Sequence, residues 1–232
     1  MARSIVMWSP RWSVVAAYRD EALPEAVPDV PLALVHGGVL TDCSASAAHA
    51  GVRQGMKVRE AHTLCPSLVM AARDEHRERR AFDRVLTDLA EYVPQHAVLA
   101  PGLVAFGARG LERFYGSEEA AGRMLRDALV QSEPLAEARI GIADDVFTAV
   151  TAAKHTTEAY PFRRVEPKNS ALFLSEMPLD VLDDDATVSL LLRLGLRTLG
   201  DFVNLGIDAI RERLGVPGER LFRLAGGTAE AP

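Results

Sequence analysis

Short apolar runs and longer segments with a helical pattern alternate along the first two thirds of the chain. β-Branched and aromatic residues concentrate in the short runs, and this composition predicts β-strands. The predicted strands are residues 4–8, 32–35, 39–41, 97–99, 103–106 and 139–143. Ser9-Pro10-Arg11 predicts a tight loop before a second apolar segment at 13–18, and Gly37-Gly38 predicts a hairpin turn.

Helical periodicity predicts the elements between these strands. Two short helical pieces are expected between residues 45 and 64, and longer helices at 73–91, 118–130 and 144–154. Residues 73–84 carry five basic and four acidic side chains, which we interpret as a solvated helix face. Two helices are spaced to cover one face of a sheet. The predicted fold class is therefore α+β, a split-βαβ or ferredoxin-like sheet with helices on one face.

The chain changes character beyond Glu166, where strand patterns give way to short helical pieces separated by glycines. We place a domain boundary within residues 165–170 and expect the rest, up to a tail at 228–232, to be helical. Two glycine hairpins join helices in this part, one at Leu194-Gly195-Leu196-Arg197-Thr198 and the other at Leu214-Gly215-Val216-Pro217-Gly218.

These two hairpins are the candidates for DNA contact. Each exposes backbone N–H groups at a helix start, where they can bind a phosphate oxygen. Residues 186–227 carry six Arg against two Asp and two Glu, so this stretch is locally basic. A glycine C-cap between packed helices explains a single hairpin at least equally well, but two in tandem favour sequence-independent backbone binding. The predicted DNA-binding residues are Gly195, Leu196, Arg197, Thr198, Arg211, Arg213, Gly215, Val216, Gly218 and Arg220.

Composition restricts the function classes further. The 232 residues are 48% hydrophobic with a net charge of −6, which excludes the overall field of a strong, non-specific nucleic-acid binder. Cys43 and Cys65 form no CxxC and the histidines no HExxH, so we expect buried reduced thiols, no metal and no cofactor. No apolar run reaches the ~18 residues of a membrane span. We expect a cytoplasmic protein without a membrane partner.

Three segments resemble motifs of the Y-family translesion DNA polymerases. The first is Ala48-His49-Ala50-Gly51-Val52-Arg53-Gln54-Gly55-Met56 with Glu60-Ala61 and Cys65-Pro66, the second is Arg139-Ile140-Gly141-Ile142-Ala143, and the third is residues 194–201. The resemblance implies a palm at 1–30 and 73–165, fingers at 31–72 and a helix-hairpin-helix thumb at 166–227. The family continues into a little-finger domain, which we expect to be absent from this chain.

The same resemblance implies that the metal ligands of the family are lost. Members hold two Mg²⁺ ions with carboxylates, because hard cations prefer oxygen ligands. By register, Trp8 and Pro10 stand at the two ligand positions of the first motif, and Gly102 and Leu103 stand at those of the second. None of these four side chains offers an oxygen atom.

The residues that grip the nucleotide triphosphate in the family are also replaced. Their positions fall on Ala45 and Ala48 in the fingers, and on Val146 and Val150 in the palm. No cationic or hydroxyl side chain is left at these four places to match the charge of a triphosphate. The resemblance therefore implies a pseudo-polymerase, not an enzyme.

A polymerase body without these ligands, with Met7-Trp8-Ser9-Pro10-Arg11-Trp12 at the first motif, is similar to the ImuB branch of the family. That branch is the inactive subunit of bacterial mutagenic translesion complexes. The resemblance implies a scaffold in the SOS-type DNA-damage response with weak, sequence-independent DNA binding. Its implied partners are the sliding clamp, a RecA-like ImuA-type protein and an error-prone replicative-type polymerase, contacted mostly through a C-terminal region not contained in this chain.

Two alternatives stay open on the sequence. An active polymerase would need substitute metal ligands, for which the acidic candidates are Asp42, Glu118, Glu119, Asp144, Asp145 and the aspartates at 183–185. Asp144 and Asp145 suit the first turn of a helix without any metal, and the run at 183–185 suits a connecting loop. A pure protein-interaction module is the other alternative, and the net charge of −6 favours it.

Overall fold

The computed structural model describes residues 3–28, 30–93 and 95–228. Its strands are β1 (Ser4–Trp8), β2 (Leu32–His36), β3 (Val39–Cys43), β4 (Val69–Ala72), β5 (Ala97–Ala100), β6 (Leu103–Gly107), β7 (Arg139–Ala143) and β8 (Phe162–Arg164). Its helices are α1 (Trp12–Tyr18), α2 (Ala45–His49), α3 (Val58–Leu64), α4 (Glu75–Ala90), α5 (Ala108–Tyr115), α6 (Glu118–Ser132), α7 (Val146–Lys154), α8 (Ser170–Ser175), α9 (Asp185–Arg193), α10 (Leu199–Val203) and α11 (Ile207–Ala225), with a 3-10 helix at Leu179–Leu182.

The strands form two sheets. The larger sheet has the order β5-β6-β1-β7-β8, and the smaller has the order β3-β2-β4. Strand β1 runs antiparallel to β7, with Trp8 opposite Arg139, whereas β8 runs parallel to β7. In the smaller sheet, β2 pairs antiparallel with β3 and parallel with β4. The predicted hairpin at Gly37-Gly38 is thereby confirmed.

The predicted strands and helices are confirmed with changes of a few residues at their ends. The second apolar segment forms helix α1, in which every residue from Trp12 to Ala17 is buried, so no polar face marks a helical period. Sequence analysis did not predict β4, β8 and α5. Gly110 inside α5 interrupts the helical pattern there.

Helices α6 and α7 pack on opposite faces of the larger sheet at strand β7. A Cβ built on Gly122 of α6 would lie 3.0 Å from Ile140 Cγ2, whereas one built on Gly141 would lie 2.0 Å from the Ala149 carbonyl oxygen of α7. Successive strand residues point to opposite faces, so α6 and α7 lie on opposite faces of the sheet at this strand. Residue 141 must be glycine, because the backbone of α7 leaves no room for a side chain.

One compact unit comprises Met1–Trp8, Ala105–Met124 and Arg139–Pro232. Its part beyond residue 166 is helical, as predicted, and buries Leu174, Leu191 and Phe202 in a shared core. Helix α11 breaks at Gly215, where φ 61° and ψ −153° lie outside helical geometry.

The second compact unit comprises Ser9–Val104 and Leu125–Ala138. Helix α1 packs on α4, where the rings of Trp12 and Phe82 meet edge to face at 5.1 Å. Cys43 and Cys65 are buried free thiols, as expected, and burial raises the pKa of Cys43.

The domain boundaries inferred from the family resemblance stay a prediction. No described helix combines the length and the apolar character needed to cross a membrane.

Replacing Gly141 with alanine should destabilise the protein, because the new methyl group would overlap the backbone of α7. We expect a loss of about 1–3 kcal/mol or more in the free energy of unfolding, as for overpacked cores. Gly110→Ala is the matched control, since a Cβ there meets no atom within 4 Å and should add about 0.5–1 kcal/mol in a helix. Urea unfolding followed by circular dichroism measures both, and a Gly141→Ala variant as stable as the wild type would contradict the close approach.

Candidate functional site

Trp8 ends strand β1 at the first position where the family resemblance expects a metal ligand. The guanidinium carbon of Arg139 lies 5.4 Å from the Trp8 ring centroid, within the range of a cation–π contact. Arg139 also donates from Nη1 to the carbonyl oxygen of Thr156 at 2.9 Å. The Trp8 ring thus already contacts the positively charged Arg139 of the neighbouring strand. This arginine would repel a metal ion at the same position.

Gly102 occupies the turn between β5 and β6, at a position where the resemblance expects a carboxylate. Its φ of 78° is left-handed, and a Cβ built on it would lie 2.5 Å from Trp12 Cβ. The Gly102 carbonyl oxygen accepts from the N–H of Ser9 at 2.7 Å, and the indole N–H of Trp12 donates to the carbonyl oxygen of Glu78 at 3.0 Å. Trp12 therefore fills the space in which a side chain at 102 would have to start. Leu103, the neighbouring position, is partly buried at the start of β6.

Pro10 and Ala45 line one pocket of about 420 Å³ in the second unit. The described lining contains one arginine, Arg11, which forms an ion pair with Glu137 of the same lining. A ring nitrogen of His49, Nδ1, lies 2.8 Å from the carbonyl oxygen of Ala45. The pocket has room for a ligand, but the charge of its arginine is already balanced by a carboxylate.

The other nucleotide-grip positions carry aliphatic side chains in two different helices. Ala48 lies partly buried on α2, and its carbonyl oxygen accepts from the guanidinium of Arg53. Val146 and Val150 lie partly buried on α7, four residues apart and so on one side of that helix. The structure brings Pro10 and Ala45 to a single pocket, and it places the two valines in the other unit.

Two of the acidic alternatives, Glu118 and Asp144, are held by arginines. Arg3 donates from Nε to Glu118 at 2.6 Å and from Nη1 to Asp144 at 2.8 Å, and Arg164 donates to Glu118 at 3.1 Å. Burial opposes ionisation of Glu118, but the hydrogen bonds from Arg3 and Arg164 outweigh it and hold the pKa of the carboxyl below its usual value. Glu119 pairs with the same Arg164 at 3.1 Å. These acids balance structural arginines.

Of the remaining acidic alternatives, Asp42 bonds to a hydroxyl, and Asp145 and Asp184 cap helices. Asp42 accepts from Ser13 Oγ and from the Cys43 N–H, and burial raises its pKa despite these bonds. Asp145 accepts from the Thr148 N–H at 2.8 Å as the N-cap of α7, and Asp184 caps α9 in the same way. Within residues 3–28, 30–93 and 95–228, no group of three or more His, Cys, Asp or Glu side chains is arranged to hold a metal ion.

The first glycine hairpin turns at Gly195, whose φ of 89° is left-handed. The N–H groups of Arg197 and Thr198 donate to Asp201 Oδ2 at 2.9 and 3.0 Å, and these bonds lower the pKa of Asp201. The Leu196 N–H donates to the carbonyl oxygen of Leu191 at 3.2 Å. Phosphate binding by these N–H groups stays a prediction, and it would require a phosphate oxygen to displace the Asp201 carboxylate.

The second hairpin lies at the break in α11, where Val216 is 79% exposed next to Gly215. Gly218 is buried, and a Cβ built on it would lie 2.3 Å from Leu214 Cβ, so its lack of a side chain serves helix packing.

The four predicted arginines of this region differ in their contacts. Arg197 donates to the carbonyl oxygen of Leu192 at 3.1 Å, and Arg211 pairs with Glu219 and, at 3.4 Å, with Asp208. Arg213 and Arg220 are exposed, and neither makes an ion pair within the described part of the chain. These two arginines are therefore the ones free to approach a phosphate without breaking another contact.

Two residues of the site had no predicted role. Trp12 lies in the segment that resembles the first motif. An aromatic residue just after a predicted strand indicates a buried packing position, and this was the feature from which its role could have been predicted. Arg3 precedes β1 as a single charged residue, and nothing in the sequence relates it to Glu118, 115 residues away. Contacts between residues so distant along the chain depend on the folded sheet.

The chain matches a known family over residues 14–154, described as the IMS: impB/mucB/samB family. It is 27% identical to DNA polymerase IV of Caulobacter vibrioides over 203 residues, which cover 86% of this chain and 50% of that protein. It is 26% identical to DNA polymerase IV 2 of Mesorhizobium japonicum over 209 residues, 89% of this chain and 50% of that protein. The chain spans about half the length of these curated relatives.

Solved structures show the same fold at low sequence identity. The structure described as "Dbh Ternary Complex (substrates partially disordered)" has a TM-score of 0.78 and 17% identity, and covers 99% of this chain and 68% of that one. "Crystal Structure of DinB from Sulfolobus solfataricus" has a TM-score of 0.75 and 18% identity with the same coverage. These likenesses confirm the α+β fold with palm and fingers. Since the family match covers more than half of the sequence, the chain belongs to the impB/mucB/samB family, the Y-family DNA polymerases.

Proposed function

We propose that this chain is a non-catalytic, polymerase-like protein of DNA-damage bypass. The observation that carries the proposal is Gly102, which stands where the family resemblance expects a metal-binding carboxylate. Its left-handed backbone and the 2.5 Å approach of Trp12 Cβ exclude a side chain in this conformation. The loss is thus built into the packing around the turn, beyond the exchange of one side chain. Trp8 and Pro10, at the end of β1 and after it, add no oxygen ligand.

The pocket lined by Pro10 and Ala45 supports the same proposal from the nucleotide side. A triphosphate with its metal ions needs fixed cationic groups to balance the charge that develops during phosphoryl transfer. The one arginine of the described lining, Arg11, already pairs with Glu137. Val146 and Val150, at the palm positions, carry no charge. A nucleotide would therefore meet no unpaired guanidinium among the described lining residues.

The combination of a polymerase fold with lost ligands supports membership of the ImuB branch, a scaffold of mutagenic translesion synthesis. In that role the chain would contact DNA weakly through a helix-hairpin-helix thumb at 166–227. The partners that follow are a sliding clamp, a RecA-like ImuA-type protein and an error-prone replicative-type polymerase. An inactive body has a use in such an assembly because it can place other proteins on the same damaged DNA.

An active polymerase is the competing hypothesis, and the names of the relatives from Caulobacter vibrioides and Mesorhizobium japonicum favour it. It requires substitute ligands for two metal ions. Glu118, Asp144 and Asp42 each have hydrogen-bond partners that a metal would have to replace. Arginine-bound carboxylates are poor candidates, since the arginine would remain beside the bound cation.

Primer extension tests the central claim. The purified chain should extend no labelled primer on a template with either Mg²⁺ or Mn²⁺, because Trp8, Pro10, Gly102 and Leu103 provide no oxygen ligand. The double variant Trp8→Asp/Pro10→Asp should be equally inactive, since the nucleotide-grip positions stay uncharged. Gel analysis against heat-killed protein is the measurement. Extension by the wild type would establish an active polymerase, and extension by the double variant alone would show that a nucleotide site has survived.

Stability measurements test the role assigned to Gly102. Gly102→Ala combines the cost of a left-handed alanine, about 1–2 kcal/mol, with an overlap on Trp12 that should add about 1–3 kcal/mol. Gly116→Ala is the matched control, since its φ of 90° is similar but a Cβ there meets no atom within 4 Å. Urea unfolding of both variants gives the difference. Equal losses of unfolding free energy in the two variants would mean that Trp12 shifts to make room and that residue 102 tolerates a side chain.

DNA binding through the thumb is expected to be weak and strongly salt-dependent. We expect a Kd in the non-specific range, roughly 10⁻⁴ to 10⁻⁶ M at physiological salt, weakened further in Arg197→Glu and in Gly195→Val. Gly195→Asn is the control for the hairpin, because asparagine tolerates the left-handed conformation. Fluorescence anisotropy with labelled primer-template DNA across a salt series provides the affinities. Binding like that of the wild type in both Arg197→Glu and Gly195→Val would make the hairpins packing elements only.

A further inference from the structure

Helix α4 sorts its charged residues onto two sides. Arg77, Arg80 and Arg84 lie three and four residues apart and so share one side of the helix. Glu75 and Asp83 line a different pocket together with Arg79. Residues 73–84, which the sequence predicts to form a solvated face of mixed charge, therefore have one side on which no acid lies between the arginines. Equal charges at this spacing repel each other in the absence of a counter-ion.

This arginine side borders a small pocket of about 50 Å³, which we call the arginine pocket. Its lining consists of Arg19, Asp20, Arg77, Arg80 and Arg84 with two alanines. A volume of this size is several times the roughly 10–15 Å³ that one water molecule requires. It accommodates a single tetrahedral oxyanion. The two alanines provide no apolar groove for the side chains of a peptide.

Two arginines of the arginine pocket have structural partners. Arg19 forms a forked ion pair with Glu133, with distances of 2.7, 2.9 and 3.1 Å. Arg77 is 7% exposed, approaches Asp20 at 3.4 Å and donates to the carbonyl oxygen of Ala72 at 2.9 Å. The Nε of Arg77 is buried and finds no hydrogen-bond acceptor among the described residues. Arg77 therefore keeps one donor without an acceptor among the described residues.

The other two arginines are exposed and form no ion pair within the described residues. Within residues 3–28, 30–93 and 95–228, Arg80 and Arg84 make neither a hydrogen bond nor an ion pair through their side chains. The acid one turn further along the same helix, Asp88, accepts instead from Ser132 Oγ. Asp20 and Glu133 balance two of the four arginines, which leaves Arg80 and Arg84. Asp74, the N-cap of α4, interacts electrostatically with Arg80 but forms no ion pair with it.

We propose that the arginine pocket binds a backbone phosphate of DNA, as a second contact separate from the predicted thumb site. Guanidinium groups match phosphate oxygens in a planar, two-pronged geometry, which makes arginine the preferred side chain for phosphate. A phosphate here would bridge Arg80 and Arg84 and relieve their repulsion. Because the pocket holds one oxyanion and no base, the contact reads no sequence. It rests on the proposed function only in taking DNA as the polymer.

Anisotropy of the full chain with labelled single-stranded DNA tests the proposal. Arg80→Gln/Arg84→Gln removes two charges at the pocket, and Arg59→Gln/Arg79→Gln removes two from exposed positions elsewhere in the same unit. Loss of one phosphate contact should reduce the magnitude of the slope of log K against log[salt] by about 0.7, and it should weaken binding about fivefold at 0.1 M salt. The control pair should bind within about twofold of the wild type. Equal behaviour of the two pairs overturns the proposal.

A second arm separates a DNA phosphate in the arginine pocket from a free anion and from an acidic peptide. Inorganic phosphate should raise the melting temperature of the wild type and of Arg197→Glu, but not that of Arg80→Gln/Arg84→Gln. Loss of DNA affinity in the pocket variant with full affinity in both Arg197→Glu and Gly195→Val supports this proposal and contradicts a contact through the hairpins. Stabilisation by inorganic phosphate without any DNA effect overturns the proposal in favour of a free anion. Displacement of the DNA by oligoglutamate at equal charge concentration overturns it in favour of an acidic peptide.

Discussion

The packing of Trp12 against Gly102 is the constraint on which the rest of the candidate site depends. The indole donates to the backbone of α4 at Glu78, and the ring meets Phe82 of the same helix edge to face. On its other side, the Trp12 side chain reaches the glycine turn, which is also tied to Ser9 by a backbone hydrogen bond. One aromatic side chain thus connects α1, α4 and the β5–β6 turn. A side chain at 102 is compatible with this packing only if the backbone at 12 or at 102 moves, because the atom it would overlap first is the Trp12 Cβ.

The charged residues of the chain fall into two groups. Some form ion pairs or helix caps that stabilise the fold, and others remain exposed at the surface. Most of the acids named as alternative metal ligands instead balance arginines or cap helices, as Glu118 does with Arg3 and Asp145 does with α7. Asp201 satisfies the N–H groups of Arg197 and Thr198 after the glycine turn at Gly195. Within the described part of the chain, the exposed arginines without an ion pair include Arg80 and Arg84 on α4 and Arg213 and Arg220 on α11. A chain of net charge −6 therefore still carries two local clusters of positive charge.

The sequence by itself determined the elements with a strong period or a strong boundary. Strands at 4–8 and 139–143, the Gly37-Gly38 hairpin and helix α4 follow from local pattern, and the family follows from motifs that are continuous in the chain. Helix α1 was not predicted, because it is buried on all sides and a helix without a polar face has no hydrophobic period.

Only the tertiary structure decided how distant residues meet. It brought Trp12 under Gly102, Arg3 to Glu118, and Arg19 to the arginine side of α4. It also placed α6 and α7 on opposite faces of β7. The physical reason is common to these cases. Local pattern records which side of an element is buried, whereas the identity of the neighbour depends on how the whole chain packs.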